Sequence, residues 1–194
     1  MKAETGWLPD CRQVPSPNFD VRPAGELPSL IVVHAISLPP DQFGGPGVEQ
    51  LFTNTLDPAE HPYYAEICHF RVSAHFFIRR DGEVIQFVSA DDRAWHAGLS
   101  CWEGRERCND FSVGIELEGC DTVPFEPVQY ERLAGLVKAL CEHYPITAIA
   151  GHSDVAPGRK TDPGPCFDWL QLRGLVGVGS GLKWACFDNS QTNQ

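Results

Sequence analysis

Residues 151–165 place His152, Lys160 and Asp162 on a loop stiffened by proline and glycine, directly after an apolar run. Loops carried by a rigid scaffold are where binding and catalytic groups concentrate. A second histidine, His34, ends the run Leu30-Ile31-Val32-Val33, and Glu116 lies in an alternating stretch over 111–119. Neutral imidazoles plus a carboxylate, with a fourth position open, form the ligand set of a catalytic zinc, so His34, His152 and Asp162 are the candidate ligands. Glu116 can serve beside such a site as general base. Lys160, two residues before Asp162, would in an extended loop point to the same side and can stabilise an oxyanion. Each residue also has a plainer reading. A strand-end histidine is often a hydrogen-bonded structural group, a loop lysine is often solvated, and a solvated strand face suits Glu118 more plainly than Glu116. No His-Glu-x-x-His run separates the metal reading from the structural one, and spacing leaves both open.

The remaining histidines are weaker candidates. His61 and His143 stand in polar surroundings and are expected at the surface, while His69 and His75 lie among apolar residues and suit the core or a role beneath the ligands. His96, between Trp95 and Ala97-Gly98, fits either description.

The elements that must position these groups follow from periodicity. The β-branched run at 30–33 reads as a strand buried on both faces. Residues 74–80 and 83–88 flank Asp81-Gly82, a two-residue hairpin signal. Alternation over 111–119 puts Phe111, Val113, Ile115 and Leu117 on one face and Ser112, Gly114, Glu116 and Glu118 on the other. Pro127 suits a first helical turn, and Leu133, Leu136, Val137, Leu140, Cys141 and Tyr144 recur at helical steps until Pro145 ends the helix. A short strand over 146–150 then delivers His152, and 168–175 forms a last helix. Residues 6–28, rich in proline, form an extended arm lying on the domain. The long connection 37–62 has a helical candidate at 48–54, and Phe43, Leu51, Phe52, Tyr63 and Tyr64 favour a packed flap. Residues 90–110 lack periodicity and read as loop. The fold class is α/β (α+β), a mixed central sheet flanked by helices. One domain over 1–188 carries the 37–62 insertion, and a polar tail over 189–194 follows.

At 194 residues the chain can bury a real core without a structural metal. Its 26 acidic against 15 basic residues, a net charge of -11, argue against nucleic acid or an anionic membrane as partner. The first 17 residues lack the apolar centre of a signal peptide, so a cytoplasmic location is expected. The eight cysteines include no Cys-x-x-Cys pair and are expected to be reduced and mostly buried, with Cys101 and Cys108 able to approach across a loop.

An ordered series of motifs carries a resemblance: Val32-Val33-His34, Phe43-Gly44-Gly45-Pro46, Arg71-Val72-Ser73-Ala74-His75, Arg80-Asp81-Gly82, Arg93-Ala94-Trp95-His96-Ala97-Gly98, Gly104-Arg105-Glu106-Arg107-Cys108-Asn109-Asp110, Gly114-Ile115-Glu116-Leu117-Glu118-Gly119, Gly151-His152 and Arg159-Lys160-Thr161-Asp162-Pro163-Gly164-Pro165. Through them nearly the whole chain resembles the zinc-dependent N-acetylmuramoyl-L-alanine amidases of the amidase_2 family, in their cytoplasmic AmpD-type 1,6-anhydro branch, with a peptidoglycan-recognition-protein-like fold. The resemblance implies zinc on His34, His152 and Asp162, catalytic roles for Glu116 and Lys160, and muropeptide contacts at Arg71, Trp95 and Arg107. It implies a monomeric hydrolase that cuts the amide between 1,6-anhydro-N-acetylmuramic acid and L-alanine, in recycling linked in such families to β-lactamase regulation. A muropeptide-binding module without catalysis is the alternative. One departure stands out: the family usually has asparagine after the first histidine, where this chain has Ala35.

Overall fold

The structure, a computed structural model, describes residues 6–177, 179 and 181–185. In chain order the arm supplies β1 (Arg12–Gln13) and β2 (Phe19–Val21), followed by β3 (Leu30–Ile36), α1 (Gly47–Phe52) and α2 (Pro62–Ile67). Next come β4 (Phe76–Ile78), β5 (Val84–Gln86) and the short β6 (Asp92–Ala94), β7 (Cys101–Trp102) and β8 (Arg105–Glu106). A 3-10 turn at Cys108–Asp110 leads into β9 (Ser112–Glu118), α3 (Pro127–His143), β10 (Ala148–Gly151), α4 (His152–Val155), α5 (Trp169–Val176) and β11 (Lys183–Trp184). One seven-stranded sheet runs β1-β5-β4-β9-β3-β10-β11, with only the β4–β5 pair antiparallel. It is the expected mixed sheet flanked by helices.

The sheet is covered on both faces, as a largely parallel sheet must be. On one face Ile31, Val33, Ile115, Leu117 and Ile78 meet Leu133, Val137 and Leu140 of α3. Each fully buried aliphatic side chain there contributes about 1.5–3 kcal/mol of transfer free energy. Gln129, wholly buried in the first turn of α3, accepts from the Glu126 amide and donates to the carbonyls of Ile78 and Glu118. One side chain thus caps the helix and ties it to β4 and β9. On the other face, Leu51, Phe52, Tyr64 and Ile67 from α1 and α2 pack on Phe77, Ile85 and Phe87 at the β4–β5 end. The 37–62 segment is accordingly packed, although α2 itself has no counterpart in the sequence reading. No helix among the described residues is long and apolar enough to cross a membrane.

Several expectations need correction. The hairpin loop has three residues, 80–82: Gly82 donates to the Arg79 carbonyl and Arg79 to that of Glu83, with Gly82 at φ +87° in a bulge. A Cβ there would also lie 2.6 Å from Val128 of α3. Phe111 caps the 3-10 turn (ψ 15°), so its side chain leaves the face of Val113, Ile115 and Leu117 and joins Leu30 and Val32 on the other. The arm enters the sheet as an edge strand through β1, and 90–110 contains three short strands. Glu118 is not solvated: it is buried and accepts from the backbone amides of Gly44 and Arg80. His69 is exposed rather than in the core, while His75 is fully buried. The described cysteines are free thiols, but Cys108 alone among them is buried. The tail after residue 188 lies outside the described residues.

Candidate metal centre

Three adjacent parallel strands, β9, β3 and β10, carry the site at their C-terminal ends, the favoured place for chemistry in such sheets. In register His34 stands beside Glu116, and Val33 beside Gly151, so His152 emerges next to His34. Asp162 returns to them because the loop folds back on itself: Ser153 donates to the Asp162 carbonyl, and Pro163 packs on Gly151, whose Cβ would lie 2.9 Å from the proline ring. Thr161 is fastened in turn to Asp121.

The result is a small triangle of donor atoms. His34 Nδ1 and His152 Nδ1 are 2.9 Å apart, and Asp162 Oδ2 lies 3.2 Å and 3.0 Å from them. A tetrahedral zinc with bonds of 2.0–2.1 Å separates its ligand atoms by roughly 3.3 Å, so this triangle matches one face of the tetrahedron. The protonation pattern fits as well. His152 Nε2 is 3.2 Å from the Ala97 carbonyl, which can only accept, so Nε2 carries the hydrogen and Nδ1 presents its lone pair to the centre. Lone pairs converging within about 3 Å call for a cation between them.

The electrostatics agree with that arrangement. Burial lowers the His34 imidazole to about 4, against the raising pull of Asp162. Glu116 moves the other way: burial, then the Asp162 charge, push its carboxyl well above the ordinary value, with Lys160 opposing. Its Oε2 is buried and has no hydrogen-bond partner among the described residues. An orphaned, buried carboxylate oxygen beside a cation-seeking triangle has the chemistry to exchange a proton with a reactant.

These groups open into a cleft of about 690 Å³ between the α1–α2 side and the 152–162 loop. Glu116, His152, Lys160, Asp162 and Trp95 line it, and so does Ala35. Arg71 and Arg107 do not. Arg71 is exposed next to the lining residues Phe70 and Val72, and Arg107 borders a neighbouring depression with Gly98 and Leu99. Arg159 lines both hollows and donates to the carbonyls of Ala97 and Leu99. Sequence reasoning passed over Arg159 and left His96 undecided. The small residues Ser112 and Gly114 on the Glu116 face were the available sign that a side chain fills that space.

Residues 24–165 match the Amidase_2 family, N-acetylmuramoyl-L-alanine amidase. The 1,6-anhydro-N-acetylmuramyl-L-alanine amidase AmpD of Escherichia coli (strain K12) is 59% identical over 178 residues, 91% of this chain and 97% of the relative. That of Haemophilus influenzae is 54% identical over 169 residues, 86% and 92% of the two chains. The crystal structure of a selenomethionine AmpD derivative superposes with a TM-score of 0.87 at 57% identity, covering 91% of this chain and all of the other.

Proposed function

The chain belongs to the Amidase_2 family of N-acetylmuramoyl-L-alanine amidases, and from that premise we propose that it is a zinc enzyme hydrolysing the amide between 1,6-anhydro-N-acetylmuramic acid and L-alanine in cytoplasmic muropeptides during cell-wall recycling. The observation that carries this reading is the juxtaposition, across neighbouring strands, of the His34–His152–Asp162 triangle with Glu116, whose Oε2 has no hydrogen-bond partner among the described residues. The relatives named for the 1,6-anhydro substrate support the choice of sugar. A solved complex of the amidase AmiD from E. coli with anhydro-N-acetylmuramic acid-L-Ala-D-γ-Glu-L-Lys supports the muropeptide class, at 30% identity and a TM-score of 0.56 over 84% of this chain and 61% of AmiD.

His34, His152 and Asp162 would hold zinc, which when bound supplies a Lewis acid that polarises a carbonyl and acidifies water. Glu116 takes a proton from the attacking water as its oxygen adds to the lactyl carbonyl carbon. The ammonium of Lys160, on the cleft wall, faces the oxyanion that develops. Glu116 then returns the proton to the alanine nitrogen as the C–N bond breaks, leaving a lactyl carboxylate and a free peptide amine. Trp95 offers an apolar face to sugar or peptide, while Arg71 and Arg107, at the margins, would meet stem-peptide carboxylates. Ala35 removes one polar group from this wall, which bears on affinity and leaves the triangle intact.

The test is mass spectrometry of 1,6-anhydro-N-acetylmuramyl-tripeptide incubated with the protein, with and without chelator, against intact sacculi. Anhydro-sugar and free tripeptide should form from the soluble substrate, vanish with chelator and return with zinc. An uncut soluble substrate in the zinc-replete sample refutes the reading. Cleavage of sacculi at an equal rate refutes the assignment to recycling.

A further inference from the structure

We propose that His96 is a positioning residue for the metal centre, accepting a hydrogen bond from His34 so that the other ring nitrogen of His34 keeps its lone pair on the metal. The inference rests on the proposed zinc site and extends outward from its ligands.

His34 Nε2 and His96 Nδ1 are 2.9 Å apart, and the two rings meet edge to face with centroids 5.0 Å apart. His96 Nε2 lies 3.2 Å from Ser112 Oγ. Along this chain a hydrogen bond can run in either direction, because a neutral imidazole and a hydroxyl each donate and accept. Only one direction suits a ligand: His34 donates from Nε2 to His96, and His96 donates from Nε2 to Ser112. The opposite direction places a hydrogen on His34 Nδ1, in the middle of the triangle. A metal ligand's orientation and basicity are set by the partner of its second nitrogen. For His152 that partner is the Ala97 carbonyl, the residue after His96. Both imidazoles are therefore oriented from one segment, 96–97.

That segment is itself held firmly. Asn109 Oδ1 accepts from the backbone amides of both His96 and Ala97, and Arg159 donates to the Ala97 carbonyl. Beneath the His96 ring the sheet offers no side chain. A Cβ on Gly114 would lie 2.4 Å from His96 Cγ and 2.6 Å from Nδ1, so the ring rests in the gap that this glycine leaves in β9. A ring so wedged has one position, and that position faces His34 Nε2.

Two readouts test this, neither of them turnover. In the zinc-loaded protein, nitrogen chemical shifts of labelled histidines should report His96 as neutral with its hydrogen on Nε2 and His34 as bound through Nδ1. A His96 hydrogen on Nδ1 overturns the proposal. Zinc affinity by chelator competition provides the second. His96→Leu, which cannot accept, should weaken zinc roughly 10- to 100-fold. His96→Asn, whose side-chain oxygen falls near the Nδ1 position, should recover most of that loss. Equal affinity in wild type and His96→Leu, or equal loss in both variants, overturns it. Should His96→Leu fail to fold, the shifts of the wild-type protein decide alone. Failure of the wild-type chain to take up zinc would instead remove the metal reading itself, a result distinct from every outcome above.

Discussion

Gly114→Ala drives a methyl group into the space that the His96 ring occupies. The added methyl would lie 2.4, 2.6 and 2.7 Å from Cγ, Nδ1 and Cδ2 of His96. Carbon contacts sit near 3.5 Å or beyond, so the ring must retreat by about 1 Å. A retreat directed away from His34 would stretch the 2.9 Å contact with its Nε2 to roughly 4 Å, past hydrogen-bond reach. Overpacking a tight site costs about 1–3 kcal/mol, and stranding a buried polar group costs a similar amount. A loss of about 3 kcal/mol in all corresponds to a fall in melting temperature of roughly 6–12 °C for a chain of this size. Thermal unfolding of the metal-free protein measures the packing loss, and chelator competition measures an accompanying drop in zinc affinity of about 10-fold. Gly135→Ala provides the control: that glycine lies in α3 with open space around it, and alanine should add up to about 1 kcal/mol through helix propensity. If Gly114→Ala melts within about 2 °C of wild type with zinc affinity unchanged, the wedged position of His96 is wrong.

Three further outcomes are expected. Glu116→Gln should keep zinc content and muropeptide binding while lowering turnover by about 10²–10⁴-fold; retained turnover would remove Glu116 as the base. Burial, and after it the Arg22 charge, lower the His75 imidazole to about 3. The unfolded chain takes up that proton first, so this contribution to stability is complete above the unfolded value near 6.5 and is lost as the pH falls towards 3. Metal-free His75→Asn should show a shallower fall in unfolding free energy over this window, and parallel curves would contradict it. Glu118→Ala leaves the amides of Gly44 and Arg80 without their acceptor, at about 2–4 kcal/mol, and should speed hydrogen exchange at Gly44; unchanged protection there would show that Glu118 does not hold the 43–46 loop.

Long periodic elements were legible from the chain itself. The apolar spacing of α3 and the β-branched run of β3 correspond to local rules with a single reading. Strands of two or three residues such as β7 and β8 have no period to detect, because their existence depends on the partner across the ladder. The parity of Phe111 failed for a related reason: one residue in a turn conformation shifts its side chain to the opposite face. At the site, residue types and strand ends singled out His34, His152, Asp162 and Glu116, but approach to about 3 Å is a property of register and loop return, which spacing does not encode. Glu118 was misjudged because alternation cannot tell a solvated carboxylate from one that satisfies buried amides. His96 was left open because the place of its ring depends on the absence of a side chain at residue 114, on β9.

The donor triangle draws on residues separated by 118 and 128 positions along the chain. In an unfolded chain such distant groups share almost no volume, so a divalent ion has affinity only for the state in which β3, β10 and the 152–162 loop have already assembled. If zinc binds there as proposed, free metal would act as a thermodynamic weight on folding, adding RT ln(1 + [M]/Kd) to the native state, or about 2.7 kcal/mol at a hundredfold excess over Kd. With the proposed zinc bound, the abundance of folded protein would be coupled to the supply of the ion, and a shift in melting temperature upon metal addition would read out the completed central sheet.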